Sequence, residues 1–333
     1  MTASPHRHHP SRRQLLAAGA GLAALGATGA RAQAGDYPSR PVRIVLPFPP
    51  GTVNDAVLRL VGEDLTRRWK QPIVIDNRPG ASSIIGTDHV AKAAPDGYTL
   101  LANITLVVQN PALRKKLPYA FSDLRAVTQF NRQQLPVFVR SDLPVQSVTE
   151  LIALARAQPG KINFATWGLG STAHLLQEKM RVDNGAPMTH VPYKGGSDII
   201  KALLSGEADV AVADLLSPDA HFKSGRLRVI GVTGPVRLPN MPNVQTLQEA
   251  GVTGFDGYNW LGLFAPARTP DAIVRRISED INAVQADSAL TRRFMDEMFV
   301  NPSATTPEQF AQIVDRDLAT WTSVIQRVGV TLD

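Results

Sequence analysis

The chain has 333 residues, 44% of them hydrophobic and 19% charged, and no cysteine. That length supports two domains with cores of their own, and the balance of apolar and charged residues excludes a disordered or membrane-embedded chain. Disulfides, thiolate nucleophiles and cysteine-ligated metals are excluded too, and the +6 net charge is scattered without the arginine stripe of a nucleic-acid binder.

The first element is an export signal. Ser11-Arg12-Arg13-Gln14-Leu15-Leu16 opens a mild apolar run that ends near Ala30, and Ala30-Arg31-Ala32 puts small residues where a signal peptidase cuts. Residues 1–34 therefore read as a removable signal peptide, and the paired arginines resemble the twin-arginine signal of proteins exported already folded. The run is too short and too rich in glycine for a transmembrane anchor. His6, His8 and His9 resemble a metal tract but fall inside this segment.

From Tyr37 onward strand and helix patterns alternate. Val42–Leu46 is a buried-strand run ending at Pro47, and Phe48-Pro49-Pro50-Gly51 is a turn. Val57, Leu58, Val61, Leu65 and Trp69 then share one helical face, with Asn54 or Asp55 as its cap. Ile73–Ile75 and Tyr98–Leu101 are further strands, separated by a helix that Gly80–Ser83 introduces. A second series follows Pro136: a helix over Leu151–Ala157, a strand at Ile162–Ala165, and a helix that Gly168–Thr172 opens. Strands at Met188–Pro192, Val210–Ala213 and Arg228–Val232 come next. Two helices close the chain. Thr269-Pro270 supplies a cap and first-turn proline for one, and Thr306-Pro307-Glu308-Gln309 a capping box for the other. This is an α/β pattern with mostly parallel sheets covered by helices. The chain is expected to cross between two lobes near Leu135–Val137 and to return near Tyr258–Leu261, giving one lobe of residues 35–136 plus 260–333 and another of 137–259.

Two loops deliver a strand end onto a helix start: Pro47–Asp55 and Thr166–His174. Ligands of open α/β sheets sit beyond the carboxyl ends of the strands. A helix start there offers unpaired N–H groups and partial positive charge, an anion site that needs no side-chain cation. Glycines 51, 168 and 170 let backbone approach closely, and Ser171 and Thr172 add hydroxyls. Several residues carry two readings: His174 binds ligand or packs and bonds locally, Asp214 receives a ligand donor or caps a turn, and Trp167 stacks on ligand or turns into the core. Tyr193-Lys194-Gly195-Gly196 lacks the spacing of a phosphate loop. No Gly-x-Ser-x-Gly elbow occurs, and His89, His174, His190 and His221 lack metal-site spacing, so no catalytic residue, metal or cofactor is expected. A hydrolase would need an arrangement that sequence does not reveal.

The sequence resembles the Bug family, the extracytoplasmic receptors of tripartite tricarboxylate transporters, along the whole segment after residue 34. The resemblance is carried by Tyr37–Arg43, Pro47–Gly51, Asn77–Ala81, Ala94–Leu100, Asn110–Leu113, Lys116–Tyr119, Pro159–Ala165, His190–Gly195 and Trp260–Pro266. It implies a two-lobed periplasmic-binding-protein fold of type II-like form, closing on a small carboxylate and delivering it to membrane permease subunits, as a monomer in the periplasm. It implies a first wall of Phe48, Pro50, Gly51, Thr52, Val53 and Asp55 and a second of Gly168, Gly170, Ser171, Thr172 and His174. Ala102–Thr105, with Asn103 and Thr105, and the region of Asp214 match segments lining the same cleft. The chain departs from the family pattern at Thr52, Val53, Trp167 and Leu169, where polarity is lost and bulk gained. This points to a monocarboxylate with an aromatic or apolar body, stacking near Phe48 or Trp167. The same cleft would also serve a receptor that signals to a membrane partner.

Overall fold

The computed structural model describes residues 37–213, 221, 224–238, 241–254, 257–298 and 300–332. The segment read as a signal peptide and Asp214 lie outside them. The described strands form two sheets. One is ordered β11–β4–β10–β3–β1–β2 and is built from β1 (Val42–Leu46), β2 (Ile73–Asn77), β3 (Thr99–Ile104), β4 (Leu124–Gln133), β10 (Asn259–Pro266) and β11 (Asn301–Pro302). The other is ordered β7–β6–β8–β5–β9 and uses β5 (Pro136–Arg140), β6 (Asn163–Thr166), β7 (Thr189–Pro192), β8 (Val210–Val212) and β9 (Leu227–Val232).

Both sheets are mixed, which corrects the expectation of mostly parallel sheets. β1 pairs in parallel with β2 and β3, and β6 with β7 and β8, wherever a helix carries the chain back to the same edge. β4 and β5 are separated by Gln134 and Leu135 alone, so the chain passes from one sheet to the other without a helical return. β10 runs antiparallel to β3 and β4, and β5 antiparallel to β8 and β9.

The helices are α1 (Val53–Trp69), α2 (Ile84–Ala91), α3 (Leu106–Leu113), α4 (Val148–Ala157), α5 (Thr172–Asn184), α6 (Gly196–Ser205), α7 (Asp271–Gln285), α8 (Ser288–Arg292) and α9 (Pro307–Val328). Local chemistry sets their starts. α9 begins with the capping box: Thr306 accepts from Gln309 N–H, Gln309 accepts from Thr306 N–H, and Pro307 stands first inside. Thr52, not Asn54 or Asp55, caps α1, because Asp55 lies within the first turn and its carboxylate has other partners. At α7 the cap position is taken by Pro270 itself (ψ 141°) with no side-chain bond, so Thr269 is not the cap.

One apolar cluster runs through both sheets. It includes Val45 and Leu101 from one, Val137 and Phe164 from the other, and Val107, Leu113, Leu175, Trp321 and Ile325 from helices. α9 packs against α3, α5 and β4, so the last helix ties the two sheets together. Its Phe310 sits edge-on to Trp260 at 5.3 Å and 5.3 Å from Phe264. A side chain at Gly262 would collide with the Phe310 ring, which is why this strand position carries none.

Candidate ligand-binding cleft

The carboxyl ends of the parallel strands gather the candidate residues. After β1 comes Phe48–Asp55, after β2 the turn Arg78–Ser83, after β3 Thr105, and after β6 Trp167–Ser171. The first loop is shaped by Asp55, which is 4% exposed. Its carboxylate accepts from Gly51 N–H at 3.0 Å, from Arg59 at 2.9 and 3.0 Å, and from Asn77 at 3.0 Å. Burial pushes the Asp55 pKa up, but the Arg59, Gly51 and Asn77 hydrogen bonds outweigh it and hold the carboxyl below its usual range. Asn77 also donates to Phe48 O at 3.1 Å, pinning the loop to β2. Thr52 Oγ1 accepts from Asp55 N–H. Asp55 is therefore an organiser of the loop, and the hydroxyl of Thr52 is already engaged.

The second loop is organised in the same way. Ser171 caps α5 by accepting from His174 N–H, and donates to Gly168 O at 2.7 Å. Gly168 N–H donates to Thr166 Oγ1, and Gly170 N–H to His174 Nδ1 at 3.1 Å. His174 takes its local reading: it is 6% exposed, and its ring lies 4.2 Å from that of His190. Because Nδ1 accepts, the His174 proton sits on Nε2. Burial lowers the pKa of His174, and burial together with the neighbouring His174 takes His190 down to about 4, so both rings are neutral near pH 7. Trp167 is half-buried and packs against two apolar clusters, one of them that of Val137 and Phe164 and the other that of Phe138 and Ile199, while Leu169 is 57% exposed. Gly168 (φ 109°) and Gly170 (φ 77°) occupy backbone conformations that favour glycine.

Two contacts bring the second loop to the first sheet. Gln109, fully buried on α3, donates to Thr172 Oγ1 at 2.9 Å. A Cβ on Gly170 would lie 2.9 Å from Leu113 and 2.6 Å from Leu332. Asn103 and Thr105 turn inward. Asn103 donates to Ser83 Oγ and Thr87 Oγ1, and Thr105 donates to Asn259 at 2.6 Å. Sequence reading missed Gln109, Asn77 and the Asn103–Ser83–Asn110 network, since single amides carry no periodic signal. It also missed Ala81, Ser82 and Ser83, three successive residues with φ of 47°, 52° and 72°. Asn110, donating to Ser82 O at 2.9 Å, helps hold that turn.

What remains for an anion is backbone. Among the described residues, Val53 N–H and Asn54 N–H at the start of α1 have no acceptor, nor do Thr172 N–H and Ala173 N–H at the start of α5. Pro50 and Gly51 are exposed, and Phe48, Thr52 and Val53 are half-buried.

Residues 57–330 match the tripartite tricarboxylate transporter family receptor, TctC. The chain belongs to that family. Among TctC relatives, BugT of Bordetella pertussis is 32% identical over 299 residues, covering 89% of this chain and 91% of BugT. A solved structure described as R. palustris Rpa4515 with adipate is 30% identical with a TM-score of 0.80, over 89% of this chain and 99% of that one. MatC from Rhodopseudomonas palustris, with bound malate, is 26% identical with a TM-score of 0.76, over 87% of this chain and 100% of that one. This TctC receptor thus has the α/β periplasmic-binding-protein fold, with a sheet in each lobe and a cleft between lobes. Among the described residues, no helix is long and apolar enough to cross a membrane.

Proposed function

We propose that this receptor captures a small monocarboxylate with an aromatic or apolar body in the periplasm and passes it to membrane permease subunits, without catalysing a reaction. In this reading the lobes comprise residues 35–136 plus 260–333 and residues 137–259, and the carboxylate lies between the starts of α1 and α5. The single observation that carries it is the pair of helix starts, each retaining two unclaimed N–H groups behind a capped third. Four charge-assisted hydrogen bonds at about 1.5–3 kcal/mol each, with about 0.3–2 kcal/mol from each helix end and less several kcal/mol for association, span a range whose upper part is micromolar affinity. The hydroxyls of Thr52 and Ser171 donate to Pro49 O and Gly168 O, which takes two donors away from a second carboxylate, while the Thr172 hydroxyl accepts from Gln109 and keeps its proton. Exposed Leu169 and half-buried Phe48 and Trp167 supply apolar surface instead. The relatives that hold adipate and malate support carboxylate capture as the class.

A thermal-shift and calorimetry panel tests this. Aromatic and aliphatic monocarboxylates should raise Tm in proportion to occupancy, and malate, adipate and citrate should bind at least about tenfold more weakly, a difference of about 1.4 kcal/mol. Tighter binding of the dicarboxylates would overturn the choice of ligand, and silence of the whole panel would overturn carboxylate capture.

A further inference from the structure

The segment that follows α9 reaches back to the second loop. Gly329 ends the helix in the left-handed region (φ 71°), donating to Ile325 O at 3.0 Å, and so turns the chain off the helix axis. Val330 and Leu332 pack against the apolar cluster that runs through both sheets, while Thr331 between them is exposed. Leu332 N–H donates to Leu113 O at 2.9 Å, one of the carbonyls that a helix end leaves unpaired. In return, Arg114 Nη1 donates to Leu332 O at 2.9 Å. Both backbone polar groups of Leu332 are thus held by the end of α3.

The side chain of Leu332 meets the glycine loop. A Cβ on Gly170 would lie 2.6 Å from Leu332 Cδ1 and 2.9 Å from Leu113 Cδ1, so the two leucines close over a buried glycine. On the inside, Gly170 N–H is taken by His174 Nδ1. The far end of α5 is met by the same stretch of chain, since Arg327 donates to Asp183. Such grips matter because a glycine backbone bends at little cost, and its order has to come from its contacts. Ser171, Thr172 and Ala173 follow directly, so the unclaimed N–H groups of Thr172 and Ala173 turn with Gly170.

We propose that Leu332 is a positioning residue for the ligand: by packing on Gly170 it fixes the start of α5 in the orientation that receives the carboxylate. The inference rests on the capture site proposed between the starts of α1 and α5, and adds to it a residue that acts from behind the loop. A loop ordered beforehand spares the ligand the entropy of ordering it.

Hydrogen exchange and titration calorimetry test this on the native protein, on Leu332→Ala, and on Leu332→Met, which keeps the bulk. Without ligand, the bonded Gly170 and His174 amides should exchange about fivefold or more faster in Leu332→Ala, while the bonded Gly51 and Asp55 amides of the first loop stay as they are. Leu332→Met should restore the native rates. Benzoate and malate are the titrants, and whichever the native protein binds should bind Leu332→Ala about threefold to tenfold more weakly. Arg114→Met is the second variant; it releases Leu332 O and should speed the same two amides. Native exchange at Gly170 and His174 in both variants overturns the proposal, and so does faster exchange with unchanged affinity. An equal rise in both loops makes Leu332 a core residue only, which overturns it too. A native protein that binds neither titrant overturns carboxylate capture instead, and exchange alone then decides whether Leu332 places the loop.

Discussion

Ser171 spends its hydroxyl twice, accepting from His174 N–H and donating to Gly168 O. Ser171→Ala therefore removes both a helix cap and a brace of the glycine loop, and should cost about 1 kcal/mol of stability in chemical denaturation. The His190 ring, bonded to Thr166 Oγ1 at 2.6 Å and packed on His174, yields a pH prediction. Its folded pKa, about 4, lies below the ordinary value of 6.5, so the unfolded chain takes up the proton first as pH falls. The stabilisation is complete above pH 6.5, is lost as pH drops toward 4, and levels off below that. Its size is on the order of 3 kcal/mol. Melting curves across this window should fall more steeply for the native protein than for His190→Gln. An identical slope would remove His190 from the account. Neither role was legible in the sequence, where His190 read as part of a strand and Ser171 as a ligand donor. A hydroxyl's partners depend on backbone placed by the loop's own fold.

The turn between β2 and α2 is the least expected element. Ala81, Ser82 and Ser83 all sit in the left-handed region, where a non-glycine residue costs about 1–2 kcal/mol. The cost is met by Asn110 bonding Ser82 O, Asn103 bonding Ser83 Oγ, and Thr87 bonding Ser83 O at 2.8 Å. Ser82→Gly should relieve strain by more than it adds unfolded-state entropy, raising stability by about 0.5–1 kcal/mol and Tm accordingly. A lower Tm would show that the serine side chain does more than tolerate its backbone. Elsewhere the elements were readable: the capping box of α9, the apolar faces of α1 and α9, and the strand runs of β1, β3 and β9 stand where periodicity predicted them. β4 and β5 were missed because Arg125, Thr128, Gln129, Asn131, Arg132 and Gln133 break up an apolar strand pattern in Leu124–Gln133, which pairs on both edges with distant chain.

At the scale of the whole molecule, the sheets are joined by a few specific contacts as well as by the strand crossings. Gln109 is the most telling, because its Nε2 holds Thr172 while its Oε1 is buried without a partner among the described residues. Replacing it by leucine removes that orphan acceptor along with the strut, so stability should change by less than about 1 kcal/mol. The tether between α3 and the start of α5 is lost, however, and conformers with the lobes apart gain population. Ligand affinity should fall about threefold to tenfold, the share of binding free energy that closure then consumes. Calorimetric titration and melting of Gln109→Leu, measured together, separate the two effects. A large loss of stability with unchanged affinity would make Gln109 a core residue and nothing more.

Periodicity, caps and breakers act over a few residues, and for that reason the succession of α/β units, the family resemblance and the two glycine-bearing loops were all present in the order of amino acids. Fold and class of function followed from them. The partners of Asp55, Ser171, Thr172 and His174 did not. Some lie within the same loop, as His174 N–H does for Ser171, and others far along the chain, as Gln109 does for Thr172. Only packing decides which of several chemically competent neighbours a buried donor meets, since every buried hydrogen bond depends on positions that the rest of the molecule sets.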